Sequence, residues 1–254
     1  MVRSTLAVLV VAVFAVLTPF ALGFLRPSGS RGLNRFGTLH AVEGPTNIAG
    51  VLRKFNVRNI ISNGNGDSSR DNLANQLIAK CKKLGQVGSK LSEEERASID
   101  DIANMLSAFS DSSPAKYELS GDHDLIYSAS PGGSSGAIGP FVGKVTQSFL
   151  DAEKFINRVE LLNGALKIEL NAERKVLDDT RIRVMFKQTV VSLFGNEVLR
   201  KDVKGQGVWN CDFAGVVNLP LNASDSDTET ESVFLRVLKT PSTFVIVQRL
   251  GEVN

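Results

Sequence analysis

The sequence contains few residues whose type and spacing could support catalysis, and His123 is the first to consider. Asp122 and Asp124 flank it, and a carboxylate beside a histidine can orient the ring as a general base. In a strand, however, neighbouring side chains point to opposite faces, so neither aspartate can form a relay with His123. We therefore interpret His123 as a residue at the entry of a strand, in preference to a catalytic base.

The other reactive residue types do not match catalytic or metal-binding motifs. The chain has no G-x-S-x-G, P-loop or H-E-x-x-H motif, and the glycines of 132–136 lack dinucleotide-binding spacing. Cys81 and Cys211 are far apart, which predicts two reduced, buried thiols and no zinc site. Asp178 and Asp179 fit a turn in which a carboxylate bonds the backbone. We therefore predict a protein that is not an enzyme and uses no metal and no cofactor.

Residues 1–42 have the features of a targeting segment in two parts. Arg3 precedes an unbroken apolar run over 6–17, which is shorter than a membrane-spanning helix requires. A segment typical of a signal-peptide cleavage site follows at 21–23, with small residues at both ends. Residues 24–42 hold three arginines and no acid, which is typical of a transit peptide and argues against a plain secretory signal or an anchor. A signal peptide over 1–23, then a transit segment starting at Phe24, resembles the bipartite presequence of algae with secondary plastids.

The charge balance gives no indication of nucleic-acid binding. The whole chain has 29 Lys and Arg residues and 27 Asp and Glu residues, a formal net charge of +2. Removal of residues 1–42 takes away four arginines and no acid, which changes the net charge to −2. A chain this close to neutrality lacks the basic footprint of nucleic-acid-binding proteins.

Residues 43–71 are predicted to be a linker or arm, followed by one domain over 72–250. Residues 51–61 form either a short amphipathic piece at a membrane or a loosely packed arm, and 62–71 is expected to be a flexible polar loop. A helical pair is predicted over 72–110, with a capping box at Ser92 and Glu95, and Pro114 ends the pattern. The apolar stripes of these helices are interpreted as packing surfaces.

From residue 119 onward, apolar residues recur with a period of two, which predicts antiparallel strands. Gly121 is expected to have a positive φ, Gly143 to mark a bulge or bend, and 162–165 to form a hairpin turn. Leu125 and Tyr127 are expected to share one face. About nine strands are predicted within 119–250, and the fold class is a mainly β fold, an antiparallel barrel or sandwich preceded by the helical pair.

Short motifs spread over residues 72–249 occur in an order that matches one protein family. They are L-x-G-x-x-x-L-I-Y-S at 119–128, Gly143 with Gln147, and the segments 157–160, 235–237 and 244–249. In this order they resemble the plastid lipid-associated proteins, also called fibrillins. Two departures are His123, where that family typically carries a tryptophan, and 239–243, which replaces an Arg-Gly-rich turn.

The resemblance implies a lipocalin-like β-barrel in the chloroplast of a secondary-plastid alga. The implied function is non-enzymatic: the protein binds or sequesters a carotenoid, a prenylquinone or another lipid at thylakoids or plastoglobules. The implied partners are that lipophilic molecule, a peripheral membrane or plastoglobule surface, and a plastid enzyme. Two alternatives are a scaffold for a lipid-biosynthetic enzyme, contacted by the helical pair and arm, and a lipid-modifying enzyme with His123 as its candidate base.

Apolar side chains on a curved sheet could line a cavity for a lipophilic ligand. The same residues could instead fill the barrel, as they do in small barrels generally. Arg236 and Arg249 either close the barrel by ion pairing or meet the polar head of a ligand. The candidate lining residues are Tyr127, Phe141, Phe149, Phe155, Phe186, Trp209, Phe234, Arg236 and Phe244.

Overall fold

The computed structural model describes residues 66–130, 132–220, 230–240 and 242–250. The predicted signal peptide, the transit segment and the amphipathic piece at 51–61 lie outside the described residues. So does most of the polar loop before the last hairpin, which was expected over 222–231.

Two helices precede the strands, as the sequence predicts: α1 (Gly66–Leu84) and α2 (Glu93–Ser107). The prediction of a polar loop over 62–71 is wrong for its second half, because α1 already begins at Gly66. Arg70 explains this early start, since it forms ion pairs with Asp67 at 3.1 Å and with Asp71 at 3.0 Å. Asp67 also places a negative charge in the first turn, where it stabilises the helix dipole.

The capping box of α2 is confirmed. The Glu95 amide donates to Ser92 Oγ at 3.2 Å, and the Ser92 amide donates to Glu95 Oε2 at 2.9 Å. Both contacts satisfy amides that have no partner inside the helix. They fix the first turn of α2 in place.

Eight strands pair side by side in a closed antiparallel ring, which we call the closed sheet. Its order is β1-β10-β9-β8-β7-β6-β5-β4, and β1 pairs with both β10 and β4. Two further strands, β2 and β3, form a separate hairpin. The strands are β1 (Gly121–Ser128), β2 (Ala137–Ile138), β3 (Phe141–Val142), β4 (Lys144–Phe149), β5 (Lys154–Leu161), β6 (Leu166–Val176), β7 (Arg181–Leu193), β8 (Asn196–Pro220), β9 (Thr230–Thr240) and β10 (Ser242–Arg249).

The predicted turns have the expected backbone conformations. Gly121 enters β1 with a φ of +69°, and the hairpin turn between β5 and β6 has a positive φ at Leu162, Asn163 and Gly164. Gly143 separates β3 from β4, so the predicted strand over 139–150 is broken. A Cβ at Gly143 would lie 2.6 Å from the carbonyl oxygen of Glu160, which explains why glycine occupies this bend.

The predicted strands at 198–203 and 213–219 belong to the single 25-residue strand β8. A register shift between Cys211 and Phe213 bends β8 without ending it. Within the described chain the first half of β8, 196–208, pairs with β7 alone, and residues 211–220 pair with β9. Asn210, between them, pairs with both strands. Polar and glycine residues in that first half hide the alternation that would have indicated a continuous strand.

A bulge in β1 overturns the prediction that Leu125 and Tyr127 share a face. The register shifts between these two residues, so Leu125 pairs with Ile246 and Tyr127 pairs with Val245. Leu125 and Ile246 belong to the apolar cluster inside the closed sheet. Tyr127 and Val245 belong to a second cluster, outside the sheet. The extra residue, Ile126, therefore turns the rest of β1 outward.

The outer cluster fixes both helices against the sheet. Leu77 from α1 and Leu106 from α2 are fully buried there, beside Phe213, Val237 and Val245 from β8, β9 and β10. Burial of each large side chain of this kind contributes roughly 1.5–3 kcal/mol. The interpretation of the helical stripes as packing surfaces is therefore confirmed.

The outward position of Tyr127 predicts the effect of substituting Gly88, in the short 3-10 helix Gly88–Lys90. A Cβ at Gly88 would lie 2.6 Å from Cζ of the buried Tyr127 ring. We expect Gly88→Ala to lower the free energy of unfolding by about 1–3 kcal/mol, measured by urea denaturation. Gly66→Ala is the control, because no atom of the described residues lies within 4 Å of a Cβ at this position and alanine favours helix. A Gly88→Ala variant as stable as the parent would contradict this packing.

Candidate ligand-binding site inside the closed sheet

Aromatic rings from several strands contact one another in a continuous series through the inside of the closed sheet. His123 lies 5.1 Å from Phe149, centroid to centroid, and Phe149 stacks on Phe155 at 5.3 Å. Trp209 stacks on Phe244 at 5.9 Å. We call the series the aromatic chain; its members, in order of contact, are Tyr117, Phe234, His123, Phe149, Phe155, Trp209 and Phe244.

Seven of the nine residues proposed from the sequence to line a cavity are buried within the closed sheet. They are Phe149, Phe155, Phe186, Trp209, Phe234, Arg236 and Phe244. The other two lie elsewhere. Tyr127 faces the helices because of the bulge in β1, and Phe141 is 53% exposed on the β2–β3 hairpin.

The interior contains a cavity of about 20 Å³ at one end of the aromatic chain. Leu125, Gln147, Trp209 and Phe244 line it from the strands, and Gly133 and Ser134 line it from the segment between β1 and β2. A space of this size holds about one water molecule. Side chains therefore fill most of the interior, and a larger ligand needs some of them to move.

His123 is fully buried in β1, between Phe149 and Phe234. Its Nε2 lies 3.2 Å from the carbonyl oxygen of Ser120, and its Nδ1 has no hydrogen-bond partner among the residues that the structure describes. Burial, and after it the positive charge of Arg236, lower the pKa of this imidazole to about 4. His123 is thus a neutral member of the aromatic chain at pH 7.

Two arginines point into the interior among apolar side chains. Arg236 on β9 is 4% exposed; its guanidinium lies 5.3 Å from the centre of the Phe149 ring, and its Nη1 donates to Gln147 Oε1 at 3.4 Å. Arg174 on β6 donates to the carbonyl oxygen of Tyr117 at 3.0 Å, and no hydrogen-bond partner for its Nε lies in the described part of the chain. Neither arginine forms an ion pair within the described residues. Of the two alternatives for Arg236, closure of the barrel by ion pairing therefore finds no partner among the described residues.

Arg249 behaves differently from Arg236. It lies near the end of β10 and forms an ion pair with Glu231 at 3.6 Å on the outer surface. The sequence-based prediction grouped Arg249 with Arg236 and did not include Arg174 or Gln147 among the lining residues. Their alternation with apolar neighbours on β6 and β4 was the available signal, since it places both on the inner face.

The remaining reactive residues have structural explanations. Asp178 accepts from the amides of Thr180 at 3.0 Å and Arg181 at 2.8 Å, which confirms the predicted turn chemistry. Cys81 and Cys211 are buried and unpaired, and burial raises the pKa of Cys81 to about 12. No cluster of potential metal ligands occurs among the residues that the structure describes.

One end of the closed sheet exposes large apolar side chains on three adjacent turns. Phe141 and Val142 lie on the β2–β3 hairpin, Leu162 on the β5–β6 turn, and Phe194, which is 70% exposed, on the β7–β8 turn. The Phe194 amide donates to the carbonyl oxygen of Ala165, which joins two of these turns. Gly143 joins the hairpin to β5 by close contact. We call Phe141, Val142, Leu162 and Phe194 the apolar rim. The segment Gly132–Ser135, part of which lines the cavity, leads into the β2–β3 hairpin.

Comparisons with protein-family models, curated proteins and solved structures found no match for this chain. Within the described ranges, neither helix is sufficiently long and apolar to cross a membrane. The site itself therefore carries the functional argument.

The buried imidazole predicts a pH dependence of stability. The pKa of His123 is about 4 in the folded chain and 6.5 in the unfolded chain, so the unfolded state binds more protons between these values. The free energy of unfolding is therefore unaffected by protonation of His123 above pH 6.5. It falls by roughly 2–3 kcal/mol as the pH falls towards 4. We expect His123→Phe to lose less stability than the parent over this range, measured by urea denaturation. Parallel pH profiles for the two proteins would contradict the buried, neutral state of His123.

Proposed function

We propose that this chain is a non-enzymatic plastid lipid-associated protein of the fibrillin family, with a lipocalin-like barrel. It binds a lipophilic small molecule, such as a carotenoid or prenylquinone, at the surface of thylakoids or plastoglobules. The observation that carries this proposal is the position of the apolar rim beside the cavity at one end of the closed sheet. The family motifs and the bipartite presequence support the plastid location.

The rim fits peripheral contact with a lipid surface. Phe194 and Phe141 are 70% and 53% exposed, on turns that form one end of the molecule. Contiguous exposed apolar residues of this kind mark interaction sites, and insertion of aromatic side chains into a lipid surface removes them from water. With the rim at the lipid surface, the end of the cavity lined by Gly133 and Ser134 lies beside the source of its ligand.

The interior fits an apolar ligand once part of its aromatic filling moves. The stacked rings of Trp209 and Phe244 both line the cavity of about 20 Å³, so their displacement enlarges it. Aromatic walls with a few polar groups are typical of sites for small apolar ligands. The scaffold alternative has less support, because the apolar faces of α1 and α2 are packed on the closed sheet.

Trp209 is the single tryptophan of the chain and therefore reports ligand entry. We expect saturable quenching of its fluorescence on titration with a short-chain prenylquinone, because the quinone would displace the ring of Phe244. A matched titration with a water-soluble quinone that lacks the isoprenoid chain is expected to give weaker, non-saturating quenching. Equal behaviour of the two compounds would count against a ligand inside the closed sheet.

The rim gives a second prediction, on galactolipid vesicles. The double variant Phe141→Ser, Phe194→Ser is expected to bind vesicles about tenfold more weakly or less in flotation assays, because two apolar contacts with the lipid are lost. Leu150→Ser is the matched control: Leu150 is 65% exposed but lies at the far end of β4. If Leu150→Ser weakens vesicle binding as much as the double variant does, the apolar rim is not the specific contact with the lipid.

A further inference from the structure

Arg236 occupies a position that is unusual for a charged side chain. It faces the interior between Phe234 and Leu238, which are its neighbours on the same face of β9 and belong to the interior cluster. The structure gives its guanidinium, a group with five N–H donors, one long hydrogen bond to Gln147 and a contact with the Phe149 ring. Most of its capacity to donate hydrogen bonds is therefore unused in the described structure.

The charged groups nearest to Arg236 do not neutralise it. Arg174, also in the interior, adds to the positive charge, and His123 is neutral. Two acids on nearby strands have other partners: Asp124 on β1 pairs with Lys144 at 3.0 Å, and Asp212 on the adjacent strand β8 pairs with Lys239 at 3.0 Å. Although burial lowers the pKa of Arg236 to about 10, the group stays protonated at pH 7.

Gln147 connects this charge to the cavity. Its side chain lines the cavity and accepts the hydrogen bond of Arg236. In the strand register it lies directly between His123 and Asn157, and Asn157 also lines the cavity. The wall of the cavity nearest to Arg236 is therefore polar, whereas Trp209 and Phe244 form an apolar wall.

We propose that the interior of the closed sheet takes a single-chain carboxylate, of the fatty-acid class, whose carboxylate accepts hydrogen bonds from Arg236 in place of Gln147. The alkyl chain lies along the aromatic chain towards the cavity and the apolar rim. A planar carboxylate matches the fork of a guanidinium and carries the one negative charge that Arg236 lacks. This inference rests on the proposed function, because it names the class of lipophilic ligand.

The test compares laurate with dodecanol, which has the same chain length and no charge. Binding to the full chain is followed by Trp209 fluorescence at pH 8, below the critical micelle concentration. We expect the parent protein to bind laurate at least about tenfold more tightly than dodecanol, the scale of one charge-assisted contact. Arg236→Met is expected to bind the two compounds with similar affinity, whereas Arg236→Lys should retain part of the preference.

Two further arginine variants locate the effect. Arg249→Met, on the neighbouring strand and exposed, is expected to keep the preference for laurate. If Arg174→Met removes the preference for laurate and Arg236→Met does not, the carboxylate binds Arg174 and not Arg236. That result would overturn the proposal. The comparison of laurate with dodecanol in the parent protein requires no variant, so it decides the question even where Arg236→Met fails to fold.

The outcomes separate this inference from the function on which it rests. Equal binding of laurate and dodecanol by the parent would overturn the carboxylate site and leave the lipid-binding function standing. Absence of binding for both compounds would count against the proposed function itself. Dodecyl phosphate binding tenfold more tightly than laurate would show that the site prefers a phosphate head group, which would also overturn the assignment to a carboxylate.

Discussion

The pairing of β1 with both β4 and β10 is the interaction on which the rest of the structure depends. It joins the first strand of the sheet to its last, so both edges find hydrogen-bond partners and the sheet closes. The same strand holds His123 and Leu125 inside and, after its bulge, Tyr127 outside. One eight-residue strand therefore closes the ring, contributes His123 to the aromatic chain and adds Tyr127 to the surface on which the helices pack.

Closure creates an interior that departs from an ordinary apolar core. Burial of a guanidinium is costly unless other groups replace its water, and the Phe149 ring and Gln147 replace only part of it. An apolar side chain at position 236 would satisfy packing alone. Violations of such general rules concentrate at functional sites, which is why Arg236 and Gln147 carry more functional information than the surrounding phenylalanines.

Local signals in the sequence were sufficient for much of the fold. The alternation on β5 and β6, the turn with a positive φ at Asn163, and the capping box of α2 all depend on neighbouring residues, and all were predictable. The bulge in β1 depends on how β10 pairs with it, and no glycine or proline marks it. For this reason the interior position of Phe155 could be predicted from the alternation on β5, whereas the outward turn of Tyr127 could not.

The first half of β8 has a consequence for association between copies of the chain. In the described structure, residues 196–208 pair along one edge with β7, so the backbone groups of the other edge are available for pairing. An edge of this length is a template on which a strand from another molecule can add. Exposed charges occur along it at Glu197, Arg200, Lys201, Asp202 and Lys204. Strand addition would remove water from these charges, and the cost of that desolvation disfavours edge-to-edge pairing between copies.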